Sequence, residues 1–256
     1  MKQAPHHKKS AGFSLIELMV ALVAGLIVVG AVLSFTLSSL QANTEFVTTT
    51  RLTQELRANL SMVTQDLRRA GYDEGAIGYL AQPATFTGFS QFATIEINHD
   101  DGIENSCVVY AYDRLPGTAG GPPELANGEI RAFRLKQRTV NGQPVGVLEF
   151  AESAAGVTPR CDGGSPNYNA YPVACANGWC AVSDPRIIDI QDFVLNTDAI
   201  VELGSQMQLR RIGVGLRGHL VGQPQTLRGV QASVRVRAEC VRANPGTNCS
   251  TPPSGV

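Results

Sequence analysis

The chain has 256 residues, with 21 lysines and arginines against 22 aspartates and glutamates, and a pI of about 6.4. This balance excludes the global basic field that draws a protein to nucleic acid, so a nucleic-acid partner is not expected. The motifs G-x-S-x-G, H-E-x-x-H and G-x-x-x-x-G-K-[ST] do not occur, and the main enzyme signatures are therefore missing. We expect no catalytic residues and no cofactor.

A basic N-terminus precedes a long apolar segment. The first 12 residues contain three lysines and no acid, and residues 18–44 contain no charge. That run exceeds the ~20 residues needed to span a bilayer, and lysines beside a span favour the cytoplasmic side. No A-x-A-like cut follows the run, as it would in a secretory signal peptide. The residues alone leave open an ordinary single-span anchor in which Glu17 is accidental.

The stretch KKSAGFSLIE, residues 8–17, resembles the class III leader and cleavage site of type IV pilins and type II secretion pseudopilins. The resemblance implies that prepilin peptidase cuts between Gly12 and Phe13, and that the new N-terminal Phe13 is methylated. It also implies an assembly role for Glu17. Its carboxylate could pair with the Phe13 amine of its own chain or with that of a neighbouring subunit, and the family favours the second. A buried carboxylate is tolerated when it is paired.

An amphipathic helix is predicted to continue beyond the apolar run. No proline lies between Phe13 and Gln82, and Gly71 is placed to stop the helix after Ala70. Apolar residues recur at spacings of three and four, which marks one helical face: Leu52, Leu56, Leu60, Val63, Leu67 and Ala70. Residues 48–75, with their RRAGY run, resemble PilW-type minor pilins, which are related to the J-type pseudopilin of type II secretion.

The remainder of the chain has the composition of a β-rich domain. Short alternating or β-branched runs bounded by turn residues predict strands at 93–98, 107–113, 129–136, 145–150, 186–195, 209–221 and 229–239. Residues 117–128 and 158–180 are predicted loops. We expect an α+β fold, in which a long N-terminal α-helix packs on a mostly antiparallel β-sheet, as in type IV pilins.

Six cysteines lie beyond the apolar segment: Cys107, Cys161, Cys175, Cys180, Cys240 and Cys249. An even number in an exported domain predicts disulfides, and six cysteines allow 15 pairings. Short loops favour Cys175–Cys180 and Cys240–Cys249, which leaves Cys107 with Cys161. Zinc is not expected, because C-x-x-C pairs are absent and no histidine lies near the cysteines.

Two weaker patterns remain. The acidic turn containing Asp100, Asp101 and Glu104 offers oxygen ligands for Ca²⁺, but its spacing does not match an EF-hand, and His99 beside it is expected to be solvated. His219 lies in a predicted strand with no acid at motif spacing. Several arginines in the last strands are expected to form a solvated strand face rather than a binding site: Arg210, Arg211, Arg217, Arg235 and Arg237.

These observations predict four segments: a cytoplasmic leader that is removed (1–12), a transmembrane and assembly helix (13–40), its amphipathic second half (41–72) and a periplasmic β-rich domain (73–256). The resemblance implies a minor pilin that helps initiate or cap a type IV pilus. Its expected partners are prepilin peptidase, other minor and major pilins, the inner membrane and the pilus assembly platform. It is expected first in the inner membrane and then at or near the fibre tip.

Two alternatives remain open at this point. One is a type II secretion pseudopilin of the same architecture. The other is a membrane-anchored periplasmic binding or enzymatic domain, for which Gly12 and Glu17 would be dispensable.

Overall fold

The computed structural model describes residues 14–76, 81, 91–100, 103–114, 125–170, 172–202, 207–236 and 240–241. The chain divides into two compact units, residues 1–50 and 51–256. Its secondary-structure elements are α1 (Leu15–Leu67), a 3-10 turn (Gln91–Ala93), β1 (Ile95–Asp100), β2 (Ile103–Ala111), β3 (Ile130–Val140), β4 (Gln143–Glu152), β5 (Trp179–Ala181), β6 (Ile188–Glu202), β7 (Met207–Leu220), β8 (Gln223–Arg235) and β9 (Cys240–Val241).

Helix α1 ends at Leu67, three residues before the predicted end at Ala70. Past Leu67 the backbone tightens into a turn, in which the Ala70 amide donates to the Leu67 carbonyl at 3.2 Å. Gly71 has φ of 78°, a left-handed conformation that glycine adopts without steric cost and that commonly follows a helix. The glycine stop is therefore confirmed, one turn after the last α-helical residue.

The strands form two antiparallel sheets. The first has the order β1-β2-β3-β4-β5, and the second has the order β6-β7-β8, with β9 beside β7. The sheets approach closely where β4 passes β6. A Cβ added to Gly146 would lie 1.8 Å from the Ile190 carbonyl oxygen, and the Gly146 amide donates to Asp189 Oδ1 at 2.8 Å. Only glycine fits at this crossing.

The main core lies between the C-terminal part of α1 and both sheets. The predicted stripe of α1 is buried and joins one cluster with Phe133 and Leu135 of β3 and with Ile212, Val214 and Leu216 of β7. The alternation predicted at the end of β8 is also observed, with Val234 and Val236 buried and Arg235 exposed. The α+β fold of a long helix packed on antiparallel sheets is thus confirmed.

All seven predicted strands are present. The structure also contains two strands that were not predicted, β5 and β9. These two strands have three and two residues, too short for periodicity to detect. The predicted loop 158–180 is corrected at its end, since Trp179 and Cys180 belong to β5 and pair with Ala151 and Phe150.

Candidate functional site

The predicted cleavage residues Gly12 and Phe13 lie outside the described residues, and α1 begins just after them. Glu17 lies in the first turn of α1. The N-terminal end of a helix carries partial positive charge, which favours a carboxylate there. The Glu17 side chain is exposed and has no ion-pair partner within the described part of the chain.

The apolar residues that follow Glu17 are exposed around the whole helix. Between Leu15 and Leu40 the large hydrophobic side chains keep 55–77% of their surface accessible, and none is buried. Exposed apolar surface of this extent marks a membrane or protein contact. By length and composition α1 is also apolar enough to cross a bilayer. Residues 15–40 therefore need a cover of lipid or of other helices.

Two hydroxyl groups within this apolar segment are satisfied by the helix itself. Ser34 Oγ donates to the Gly30 carbonyl at 2.9 Å, and Thr36 Oγ1 donates to the Val32 carbonyl at 2.8 Å. A helix in hydrocarbon has to satisfy its polar groups internally, and these two meet that requirement. Glu17 differs, because its carboxylate has no hydrogen-bond or ion-pair partner within the segment. In an apolar environment it needs a partner from another molecule or from residues outside the segment.

Asp66 connects the C-terminal part of α1 to the first sheet. It accepts two hydrogen bonds of 3.0 Å from Arg131 Nη1 and one from the Tyr110 hydroxyl. Burial and the neighbouring Asp66 carboxylate raise the pKa of Tyr110 well above its ordinary value, so the phenol stays protonated. Arg131 also pairs with Glu152 at 3.0 Å. This polar cluster fixes the helix register on β2 and β3.

A second buried cluster, which the sequence did not predict, holds the cysteine-bearing loop. Arg134 of β3 and Glu149 of β4 form an ion pair of 2.6 Å with both side chains fully buried. The Arg134 guanidinium donates to the carbonyls of Cys161 (2.8 Å), Gly163 (2.7 Å) and Gly164 (3.1 Å). The only signal in the sequence was the charged residues that interrupt the apolar pattern of these two strands.

Two aromatic side chains complete this Arg134 cluster. The Trp179 ring lies over the guanidinium, 3.7 Å from its carbon to the ring centroid. The Tyr168 hydroxyl donates to Glu149 Oε1 at 2.6 Å, and burial with this bond raises the pKa of Tyr168. Loop 158–180 thus covers the second face of β3, which explains why the alternation in that strand is imperfect.

The structure contains two of the three predicted disulfides. Cys107–Cys161, the long bridge, links residues 54 positions apart, and Cys175–Cys180, the short bridge, links residues five apart. The third expected bridge involves Cys249, which lies outside the described residues. The long bridge joins β2 to the loop held by Arg134.

One prediction about a charged side chain needs correction. Arg210, expected on a solvated face, is 6% exposed because its side chain lies on the inward face of β7. Within the described ranges its Nε and Nη2 have no hydrogen-bond partner. No acid lies at motif spacing from His219 in the sequence, but the fold places Asp189 of the neighbouring strand 3.5 Å from its Nε2. Arg211, Arg217 and Arg235 are exposed as expected, and Arg237 lies outside the described residues.

The calcium candidate is only partly visible. Glu104 is exposed, whereas Asp101 and the side chains of His99 and Asp100 lie outside the described residues. Within the described ranges, no three His, Cys, Asp or Glu side chains are grouped closely enough to hold a metal ion.

Comparison with protein families agrees with this arrangement. Residues 7–33 match the prokaryotic N-terminal methylation motif, and residues 45–236 match the family described as prepilin peptidase-dependent protein B. Comparisons with curated proteins and with solved structures give no significant match. The second family match covers three quarters of the chain, from the middle of α1 to the end of β8. This chain belongs to the prepilin peptidase-dependent protein B family and is a membrane-anchored, type IV pilin-like protein.

Proposed function

We propose that this chain is a minor pilin, a structural rather than catalytic subunit that helps initiate or cap a type IV pilus. The observation that carries the proposal is the exposed apolar surface of residues 15–40 with the single carboxylate of Glu17 at its start. Such a surface serves twice. It anchors the precursor in lipid, and it later packs against the helices of other pilins.

Processing creates the group that Glu17 needs. A cut between Gly12 and Phe13 removes the leader and leaves a free amine, which the methyltransferase activity implied by the motif then modifies. The lysine-rich leader favours a cytoplasmic N-terminus, so the domain after the span lies in the periplasm. The amine of Phe13 on a neighbouring subunit would then meet the Glu17 carboxylate in a low-dielectric setting.

A pair between unlike groups gives the contact a direction. Two apolar helices can slide along each other in lipid, whereas a charge pair fixes one register. Because the amine and the carboxylate lie at different positions on the surface, the contact is heterologous, and heterologous contacts build open helical filaments. The other minor and major pilins and the assembly platform are the partners this proposal requires.

The PilW-type resemblance of residues 48–75 supports a minor subunit at or near the fibre tip. The disulfide-linked loop 158–180 also fits an exported, extracellular position. A type II secretion pseudopilus would use the same helix, so the experiment below distinguishes the two by the fibre in which the chain is found.

The processing step is tested by mass spectrometry of the mature N-terminus. Wild-type protein should begin at a methylated Phe13, and Gly12→Val should remain uncut because the larger side chain obstructs the peptidase. A mature wild-type chain that begins elsewhere would contradict the assignment of the cleavage site.

The assembly role is tested with Glu17→Gln, which keeps the shape of the side chain and removes its charge. The variant should be cut and inserted normally but should be depleted from sheared surface pili, since breaking a buried ion pair costs about 3–5 kcal/mol. Glu17→Asp should be partly depleted because its carboxylate is one methylene shorter. Incorporation of Glu17→Gln at the wild-type level refutes the role, and wild-type chain found only in a secretion pseudopilus refutes the pilus assignment.

A further inference from the structure

A cleft of about 560 Å³ lies between the end of α1 and the end of β2. It is lined by Gln65, Arg68, Arg69, Tyr72, Tyr112, Asp113 and Arg114. The cleft includes the two arginines and the tyrosine of the RRAGY run, to which neither the anchor nor the core assigns a role. We call it the arginine cleft.

The arginine cleft carries unbalanced positive charge. The side chains of Arg68, Arg69 and Arg114 are exposed, and none of the three has an ion-pair partner among the residues that the structure describes. Asp113 is the single acid in the lining, and its Oδ2 already accepts from the Glu74 amide at 3.2 Å. Three guanidinium groups against one engaged carboxylate leave the cleft suited to an anionic partner.

The walls of the cleft are held in place before any partner arrives. The Gly71 amide donates to the Ala111 carbonyl at 2.8 Å, and the Asp113 amide donates to the Tyr72 carbonyl at 2.8 Å. These two bonds join the turn after α1 to the end of β2. At the cleft, the Tyr112 hydroxyl is buried and has no hydrogen-bond partner among the residues that the structure describes. A site ordered in advance loses less conformational entropy on binding.

The side chains of the cleft favour a protein partner. Arginine and tyrosine are among the residues most enriched at the energetic centres of protein interfaces. The cleft has three arginines and two tyrosines, and Tyr72 is 53% exposed. The guanidinium fork also matches a carboxylate in two parallel hydrogen bonds.

We propose that the arginine cleft is a docking site for acidic side chains of a neighbouring pilin subunit in the fibre. This inference rests on the proposed function, because it requires that the chain enter a filament. It adds a second contact to that of Glu17, made by the folded domain and specific for a subunit that presents carboxylates.

The first experiment exploits the scarcity of lysine. Beyond the leader the chain has one lysine, Lys136, and it is buried. Arg69→Lys keeps the charge and places a single reactive amine in the cleft. Carbodiimide treatment of piliated cells that carry this full-length variant should join the introduced amine to an aspartate or glutamate of another pilin subunit, which peptide mass spectrometry identifies. Arg57→Lys, exposed on α1 outside the cleft, is the matched control.

The second experiment measures incorporation. Arg68→Glu combined with Arg69→Glu should lower the amount of chain in sheared fibres about tenfold at an unchanged membrane level, and Arg57→Glu should not. Lysine at the mapped acid of the partner should restore incorporation. Equal crosslinking at positions 57 and 69, or wild-type incorporation of the double variant, overturns the cleft proposal alone. Absence of the wild-type chain from fibres overturns the proposed function as well.

Discussion

Replacement of Arg134 by methionine tests whether one buried cation organises the cysteine-bearing loop. The substitution preserves an unbranched side chain but removes the guanidinium that pairs with Glu149 and binds three carbonyls of the loop backbone. It leaves the Glu149 carboxylate buried without its cation. The carbonyls of Cys161, Gly163 and Gly164 lose a donor at the same time.

The expected loss is large because both partners are fully buried. Breaking a buried ion pair by removing one member costs about 3–5 kcal/mol, against a total stability of about 5–15 kcal/mol for a domain. Arg160→Met is the control, because its pair with Asp162 is 65% and 77% exposed and exposed pairs contribute about 0–1 kcal/mol. The double variant Arg134→Met/Glu149→Gln should recover about 1–2 kcal/mol relative to Arg134→Met, through the coupling of the two sites.

Urea unfolding of the full-length chain in non-ionic detergent measures these differences. The chain has one tryptophan, Trp179, which lies on the Arg134 guanidinium, so its fluorescence reports on this cluster. With an m-value of about 2 kcal/mol/M, the midpoint of Arg134→Met should fall by about 2 M. An Arg134→Met midpoint equal to that of Arg160→Met would refute the reasoning.

Three further outcomes follow from buried groups of the same domain. Alanine at both cysteines of the long bridge should cost about 4 kcal/mol, against about 2 kcal/mol for the short bridge, because the chain entropy released grows with loop length; equal urea midpoints would contradict this. Arg210→Met should stabilise by about 1–3 kcal/mol at pH 7 by removing a buried cation that has no partner in the described part of the chain, whereas the exposed Arg211→Met should be neutral. Burial lowers the pKa of Arg210 to about 10, so the unfolded state binds more protons above that pH. The free energy of unfolding of the wild-type chain should therefore rise above about pH 10 through this group, and the stabilisation by Arg210→Met should become smaller. Asp66→Asn should destabilise by about 2 kcal/mol through loss of charged hydrogen bonds, and an unchanged thermal midpoint would show that the register of α1 does not depend on this carboxylate.

The sequence predicted correctly the elements in which buried residues recur at a single helical or strand spacing. The leucine stripe of α1 and the alternation at the end of β8 each face one core, so spacing alone identified them. It was insufficient where a segment is buried on two sides. Ala132 and Phe133 of β3 are both buried, because α1 covers one face of the sheet and loop 158–180 covers the other.

The functional residues also fall into two groups, those predictable from a short motif and those that only the fold brings together. Residues 8–17 carry their information locally, so the cleavage position and Glu17 could be proposed from a short motif. The arginine cleft and the Arg134 cluster are assembled from segments far apart in the chain, and only the fold brings them together. The prediction for Arg210 was wrong because its charge was taken to mean exposure. By period two Arg210 shares the face of β7 that carries the buried Ile212, Val214 and Leu216.

The hold of Arg134 on the loop also bears on the order of events in oxidative folding. Cys107 and Arg134 are direct partners in the β2–β3 register, and the same arginine binds the carbonyl of Cys161. Once β2 and β3 have paired, these non-covalent contacts raise the effective concentration of one thiol at the other before any oxidant acts. The register of β2 on β3 and the hydrogen bond from Arg134 to Cys161 then favour the Cys107–Cys161 pairing among the 15 possible sets. The disulfide forms between two thiols that these contacts already hold close together.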